Sequence, residues 1–161
     1  MLKTGSHAPE FVLLNDQGVA TSLAGLLSEG PLILYFYPAD FTPGCTREAC
    51  AIRDVHRDLI AVGLKVVGIS PQDTDSHARF RLQHNLPFIL LSDPDKIVIR
   101  MYGVDGPLGF GVRRATFLIK QDRTIHDAVL ADILIGRHTE FIDKAISLHE
   151  TAGIRAMPTE D

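Results

Sequence analysis

The spacing of hydrophobic and polar positions changes several times along the chain, and each change marks an element. Leu32–Tyr37 is an unbroken apolar and aromatic run, the pattern of a strand buried on both faces. From about Pro43 to Val62 the apolar residues Ala49, Ile52, Val55, Leu59 and Val62 recur at intervals of three and four, which predicts a helix. Gly63 stands where such a helix stops. Leu64–Ser70 is a second, β-branched run. Thr74–Asn85 reads as a helix with Ala78 and Leu82 on one face, Phe88–Ser92 as a third strand, and Asp95–Tyr102 as a short helix ending at Gly103. Ala115–Lys120 and Ile125–Leu130 flank the polar turn Gln121–Thr124 and predict a hairpin. Thr139–Glu150 closes the pattern as an amphipathic helix, with Ile142, Ala145, Ile146 and His149 on one face.

Two strands joined through a helix pair in parallel by a right-handed crossover, and the late hairpin adds antiparallel strands. The expected fold class is α/β, a central mixed β-sheet flanked by helices on both faces. With 161 residues and no repeat or low-complexity linker, one domain is expected over residues 1–150. Residues 151–161, polar and holding Gly153 and Pro158 before a terminal Glu160–Asp161, read as a loose tail.

The composition narrows the function classes. The formal net charge is -4, so no nucleic-acid footprint is expected. No apolar run approaches the ~20 residues of a membrane span. The opening MLKTGSHAPEF lacks the apolar core of a signal peptide, so a cytoplasmic location is expected. The seven histidines show no metal-ligand spacing. His56, His77, His84, His126 and His138 are expected at the surface, and no metal or cofactor is expected.

The two cysteines, Cys45 and Cys50, are too few and too close for a secreted disulfide scaffold. In a reducing compartment they are either redox-active or small buried hydrophobes. The local sequence favours chemistry. Tyr37-Pro38-Ala39-Asp40-Phe41-Thr42-Pro43-Gly44-Cys45-Thr46 joins the first core strand to the first long helix, beyond a strand C-terminus where α/β folds place their sites. Thr42 suits the N-cap and Pro43 the first helical position. Cys45 then falls in the first turn, where free N–H groups and the helix dipole favour an anion such as a thiolate nucleophile. Thr42 either only caps the helix or also turns its hydroxyl toward the sulfur. Gly44 serves the turn and leaves room for a substrate oxygen.

The string Pro38-x-x-x-Thr42-x-x-Cys45 resembles the active-site motif of the peroxiredoxins. TPGCTREACAIRD resembles their Q-type subgroup, the bacterioferritin comigratory proteins, and APEFVLLNDQG, LYFYP, VVGIS, LLSD and RRATFLI follow in the family's order over most of residues 4–130. The resemblance implies a thioredoxin-like fold and reduction of hydrogen peroxide and organic hydroperoxides. It also implies a catalytic set of Pro38, Thr42, Cys45 and an arginine. The arginine precedes a strand of the form R-x-[ST]-F-L-I, which selects Arg114. Neighbouring strand residues point to opposite faces, so only one of Arg113 and Arg114 can address the sulfur. Arg113 reads as surface charge. Glu48 could face the site at i+3 or complement the helix dipole, and stays outside the catalytic set.

Q-type members similar to this sequence place a resolving cysteine at Cys50. A buried structural cysteine is the alternative, which would leave a one-cysteine peroxidase or a thiol redox sensor. In a continuous helix, positions five apart have Cα atoms ~8–9 Å apart and side chains ~140° apart. A disulfide needs less than ~7 Å, so the helix must unwind locally before Cys50 reaches Cys45. The implied partners are peroxides and a thioredoxin-like dithiol reductant, with the chain expected as a monomer and a dimer as the alternative. A thioredoxin-like disulfide reductase would favour C-x-x-C, which is absent. Two stretches depart from the family pattern. Val104–Val112, just before Arg114, is short and is expected to bear on peroxide access or an interface. The hairpin turn Lys120–Arg123 lacks the usual Asp-Gly pair.

Overall fold

The computed structural model describes residues 1–156. The elements follow in the order β1 (Val12–Asn15), β2 (Ala20–Ser22), α1 (Leu23–Leu27), β3 (Leu32–Phe36), α2 (Pro43–Ala61), β4 (Lys65–Ser70), α3 (Thr74–His84), β5 (Leu90–Ser92), α4 (Ile97–Met101), a 3-10 turn (Pro107–Gly109), β6 (Ala115–Ile119), β7 (Ile125–Leu130) and α5 (Gly136–Ala156). The seven strands form one sheet in the order β2-β1-β5-β4-β3-β6-β7. Strands β3, β4 and β5 run parallel, while β6 lies antiparallel to β3 and β7 to β6. The sheet is therefore mixed.

Strand alternation divides the core into two layers. Leu32, Leu34 and Phe36 of β3, with Ala115, Phe117 and Ile119 of β6, pack under α1 and α4. Ile33, Tyr35 and Leu118 face the other way, onto Cys45, Ala49, Ile52 and Leu59 of α2, Phe80 of α3 and Phe141, Ile142, Ala145 and Ile146 of α5. Gly68 in β4 makes room for this second layer, since a Cβ there would stand 2.7 Å from the Tyr35 ring. Helix α2 ends as its pattern requires. Gly63 is left-handed at φ 77°, and Leu64 N–H donates back to Leu59 O at 2.9 Å.

Several expectations need correction. The first 31 residues carry β1, β2 and α1, which the periodicity did not reveal. These elements are only three to five residues long, and β1 exposes Val12 and Leu14. Helix α3 forms where expected but buries His77 and Phe80, leaving Ala78 and Leu82 exposed. Helix α4 begins at Ile97 and not at Asp95, because Lys96 is left-handed at φ 56°. The third strand is shorter than Phe88–Ser92. Helix α5 begins before Thr139 and continues to Ala156, through the start of the expected tail; residues 157–161 lie outside the described residues. His77 and His138 are fully buried and not at the surface, because distant groups satisfy both rings. Among the described residues no helix is long and apolar enough to cross a membrane.

Candidate active site

The loop after β3 delivers Cys45 to the first turn of α2. Pro38 leaves the strand half-buried, Asp40 is buried, and Phe41 is left-handed at φ 65°. A non-glycine residue in that region carries strain of order 1–3 kcal/mol and persists only where the surroundings hold it. Thr42 occupies the N-cap with Pro43 following, but its side chain makes no cap bond. The Thr42 hydroxyl instead donates to Ala39 O at 3.0 Å, so it neither caps the helix nor donates to the cysteine.

Cys45 is 2% exposed, and its sulfur accepts from Arg114 Nη2 at 3.2 Å. Parity along β6 explains the pairing. Thr116 and Leu118 face the α2–α5 layer, and Arg114 shares their phase. Arg113 has the opposite phase and turns to Asp132 at 2.9 Å near the surface. Gly44 lets the guanidinium approach. A Cβ there would lie 3.3 Å from Arg114 Nη2 and 3.2 Å from Ile135 Cδ1, tighter than ordinary van der Waals contact.

Arg114 also binds Glu48 through Nη1, completing a buried bridge from sulfur to carboxylate. Burial, opposed by the guanidinium, pushes the Glu48 carboxyl up to about 7. Its second oxygen, Oε1, has no hydrogen bond among the described residues and lies 3.8 Å from His138 Nδ1. His138 Nε2 faces Ala131 O at 2.9 Å and so carries the proton, leaving Nδ1 to accept from the Thr116 hydroxyl at 2.9 Å. Burial lowers the pKa of this imidazole, in keeping with a neutral ring.

A second buried cluster fastens the loop to α3. Asp40 accepts from Tyr37 Oη at 2.7 Å and Ser76 Oγ at 2.8 Å, and its Oδ2 lies 2.7 Å from His77 Nδ1. His77 Nε2 faces Leu91 O at 3.0 Å. Both ring nitrogens therefore face acceptors. Burial, reinforced by neighbouring Tyr35 and Asp40, raises the Tyr37 phenol well above its ordinary value, so it stays a donor.

Cys50 lies farther along the same unbroken helix, half-buried, and both cysteines are free thiols. Its sulfur lies 3.9 Å from His84 Nδ1 at the end of α3. The short Val104–Val112 segment folds onto Lys96, which donates to Gly109 O and Gly111 O at 2.7 and 2.9 Å. None of its side-chain hydrogen bonds reaches the cysteine. In the β6–β7 turn, Arg123 takes the left-handed conformation at φ 72° that a glycine would suit.

Residues 4–128 match the AhpC/TSA family. The chain is similar to a putative peroxiredoxin bcp of Coxiella burnetii, 42% identical over 143 residues that cover 85% of this chain and 93% of the relative. Its fold matches the crystal structure of peroxidoxin BcpB from Mycobacterium tuberculosis with a TM-score of 0.85, at 36% identity over 94% and 98% of the two chains. It also matches, at TM-score 0.79 and 26% identity over 86% and 91%, a Xanthomonas campestris bacterioferritin comigratory protein described for its alkyl peroxide reduction activity. The chain belongs to the peroxiredoxin family. It is a thiol peroxidase with a thioredoxin-like fold.

Within this peroxiredoxin, Cys45 and Arg114 meet, Pro38 and Thr42 lie on the loop that leads into α2, and Cys50 makes no contact with Cys45. Sequence reasoning left out Glu48, although its i+3 spacing already put it on the Cys45 side of α2. It also missed Asp40, His77 and His138. A buried role for His77 had one available signal, its three-residue spacing from Phe80 on the inner face of α3.

Proposed function

We propose that Cys45 is the peroxidatic nucleophile, that Arg114 stabilises its charge, and that Cys50 resolves the product. The observation that carries this reading is the buried 3.2 Å contact from Arg114 Nη2 to Cys45 Sγ. Arginine has donors only, so the contact favours an electron-rich sulfur and the oxygen charge that develops as a peroxide is cleaved. The thiolate attacks one peroxide oxygen, the S–O bond forms as the O–O bond breaks, and water or an alcohol departs after taking a proton. Pro38 and Thr42 border the approach. The half-exposed Phe41 and the side chain of Ile135 over Gly44 offer apolar surface beside it, which supports organic hydroperoxides as well as hydrogen peroxide.

Cys50 then attacks the Cys45 sulfenic acid, forming the disulfide and releasing water. The first turns of α2 unwind for this step, since ~8–9 Å between Cα atoms must fall below ~7 Å. A thioredoxin-like dithiol restores both thiols by exchange. Free cysteines suit the reducing cytoplasm.

Steady-state turnover of hydrogen peroxide and cumene hydroperoxide with a thioredoxin system tests the reading. Cys45→Ser is expected to fall below ~1% of wild type, and higher residual turnover would refute the nucleophile. One equivalent of peroxide is expected to yield an intramolecular Cys45–Cys50 disulfide by mass spectrometry, with amide protection lost over Thr42–Ala51. A Cys45–Cys45 bond between chains would instead make Cys50 structural.

A further inference from the structure

We infer that His84 is the general base that ionises Cys50 for the resolving step, an inference that rests on the resolving role proposed above. His84 Nδ1 is the only side-chain hydrogen-bonding neighbour that Cys50 Sγ has among the described residues, at 3.9 Å. The imidazole is held in place. One turn beyond Cys50 on the same helix, Arg53 Nη1 donates to His84 O at 2.8 Å, tying the end of α3 to α2 beside the sulfur. The His84 ring stands edge-on to Phe80 with centroids 5.1 Å apart. The charged groups beside the contact are already engaged. Arg53 binds His84 O and Asp54, and Arg81 binds Leu86 O and Asp16.

The position also suits the product of proton transfer. His84 is the last residue of α3, at the negative end of the helix dipole. His84 is half-exposed and its Nε2 has no protein partner among the described residues, which opens a route for the proton to solvent. The backbone arrangement fits as well. Asp40 is fastened to Ser76 and His77 at one end of α3, and Arg53 to His84 at the other. The turn that bears Cys45 lies between these two attachments, and it is the part that must unwind toward Cys50 for the disulfide to form.

The step balances. His84 Nδ1 accepts the Cys50 proton, and the thiolate attacks the sulfur of the Cys45 sulfenic acid. The S–S bond forms as the S–O bond breaks, and the departing hydroxide takes up one proton to leave as water, restoring neutral His84. No further oxidant or reductant is consumed.

The experiment is rapid-quench thiol alkylation with mass spectrometry after one equivalent of hydrogen peroxide, on the full-length reduced protein. His84→Gln keeps a hydrogen-bonding side chain that cannot take a proton, and His84→Ala removes it. Both are expected to form the Cys45–Cys50 disulfide ~10²-fold more slowly at neutral pH, the lower end of what a general base supplies. Sulfenic acid formation at Cys45, which His84 does not touch, keeps the wild-type rate. The deficit should shrink at strongly alkaline pH, where hydroxide removes the thiol proton in place of the imidazole. In excess peroxide both variants should accumulate sulfinic acid at Cys45. Wild-type disulfide rates in either variant, or an equal slowing of the Cys45 step, would overturn the role of His84. A wild type that forms no intramolecular disulfide would instead overturn the resolving role of Cys50, and the two failures are told apart in one experiment.

Discussion

Asp40 and Glu48 lie five residues before Cys45 and three after it, both buried and both facing a basic side chain, yet their surroundings differ in completeness. Asp40 accepts from Tyr37 and Ser76 and pairs with His77, whose other nitrogen meets Leu91 O. Every polar atom of that cluster has a partner, and it holds a loop containing the left-handed Phe41. Glu48 has Arg114 on one oxygen and no hydrogen bond on the other, and Arg114 Nε is also without a partner among the described residues. Arg114 divides its two terminal nitrogens between Glu48 and Cys45. A fully bonded buried network rigidifies, whereas a buried polar group left partly unpaired is costly in a low dielectric. The first cluster thus fastens the loop before the cysteine, and the second places a guanidinium and a carboxyl beside its sulfur.

The largest expected break falls on the complete cluster. Asp40→Asn removes the carboxylate that His77 and Ser76 share. It is expected to destabilise the protein by about 3–5 kcal/mol, as breaking a buried pair does, measured by urea unfolding. His77→Asn retains a donor near the Nδ1 position toward Asp40, and His77→Gln retains one toward Leu91 O. If the anchor to Asp40 is what matters, His77→Gln is the more damaging of the two, and the reverse order would show that the Leu91 bond carries the cluster.

On the incomplete side, Arg114→Ala is expected to lower the second-order rate with peroxide by ~10²-fold or more in stopped-flow measurements. An unchanged rate would remove the distinction between a positioning cluster and a charge-setting one.

A pH titration of stability sharpens the contrast further. The Glu48 carboxyl is raised to about 7 by burial, from an ordinary value of 4.5. Between those values the folded chain keeps a proton that the unfolded chain has released, so stability falls as pH rises through this window. At 1.36 kcal/mol per unit the full shift sets an upper bound of ~3 kcal/mol on this decline. Glu48→Gln should lose this decline while the other groups titrate as before, and parallel curves for the two proteins would count against a strained carboxyl.

The smallest effect is expected at Arg113. Its pair with Asp132 is well exposed, and such pairs contribute ~0–1 kcal/mol. Arg113→Ala should stay within about twofold of wild type in peroxide rate. A loss like that of Arg114→Ala would reverse the assignment of the two arginines.

Much of this arrangement is legible in local sequence. The three-and-four spacing from Ala49 to Val62 marks α2 and Gly63 its end, and the Leu32–Tyr37 run marks the central strand. Thr42-Pro43 before Cys45 sets the sulfur in a first helical turn, and strand alternation allows only one arginine of the pair to face it. These signals depend on neighbours within a turn or a strand, so the chain carries them before it folds.

The buried polar partners follow a different logic. Glu48 meets Arg114 across 66 positions, Asp40 meets His77 across 37, and Cys50 meets His84 across 34. The histidines read as surface residues and Glu48 stays open between two readings, because burial penalises such groups unless a partner is present, and the partner comes from another element. The same holds for α3, whose apolar Ala78 and Leu82 face solvent while Ser76, His77 and Phe80 turn inward to serve the cysteine loop. Sequence alone thus determined the strand–loop–helix that presents Cys45 and the family it belongs to. Only the tertiary structure decided which charges surround the sulfur and what holds its loop, because those energies exist only once distant side chains are brought together out of water.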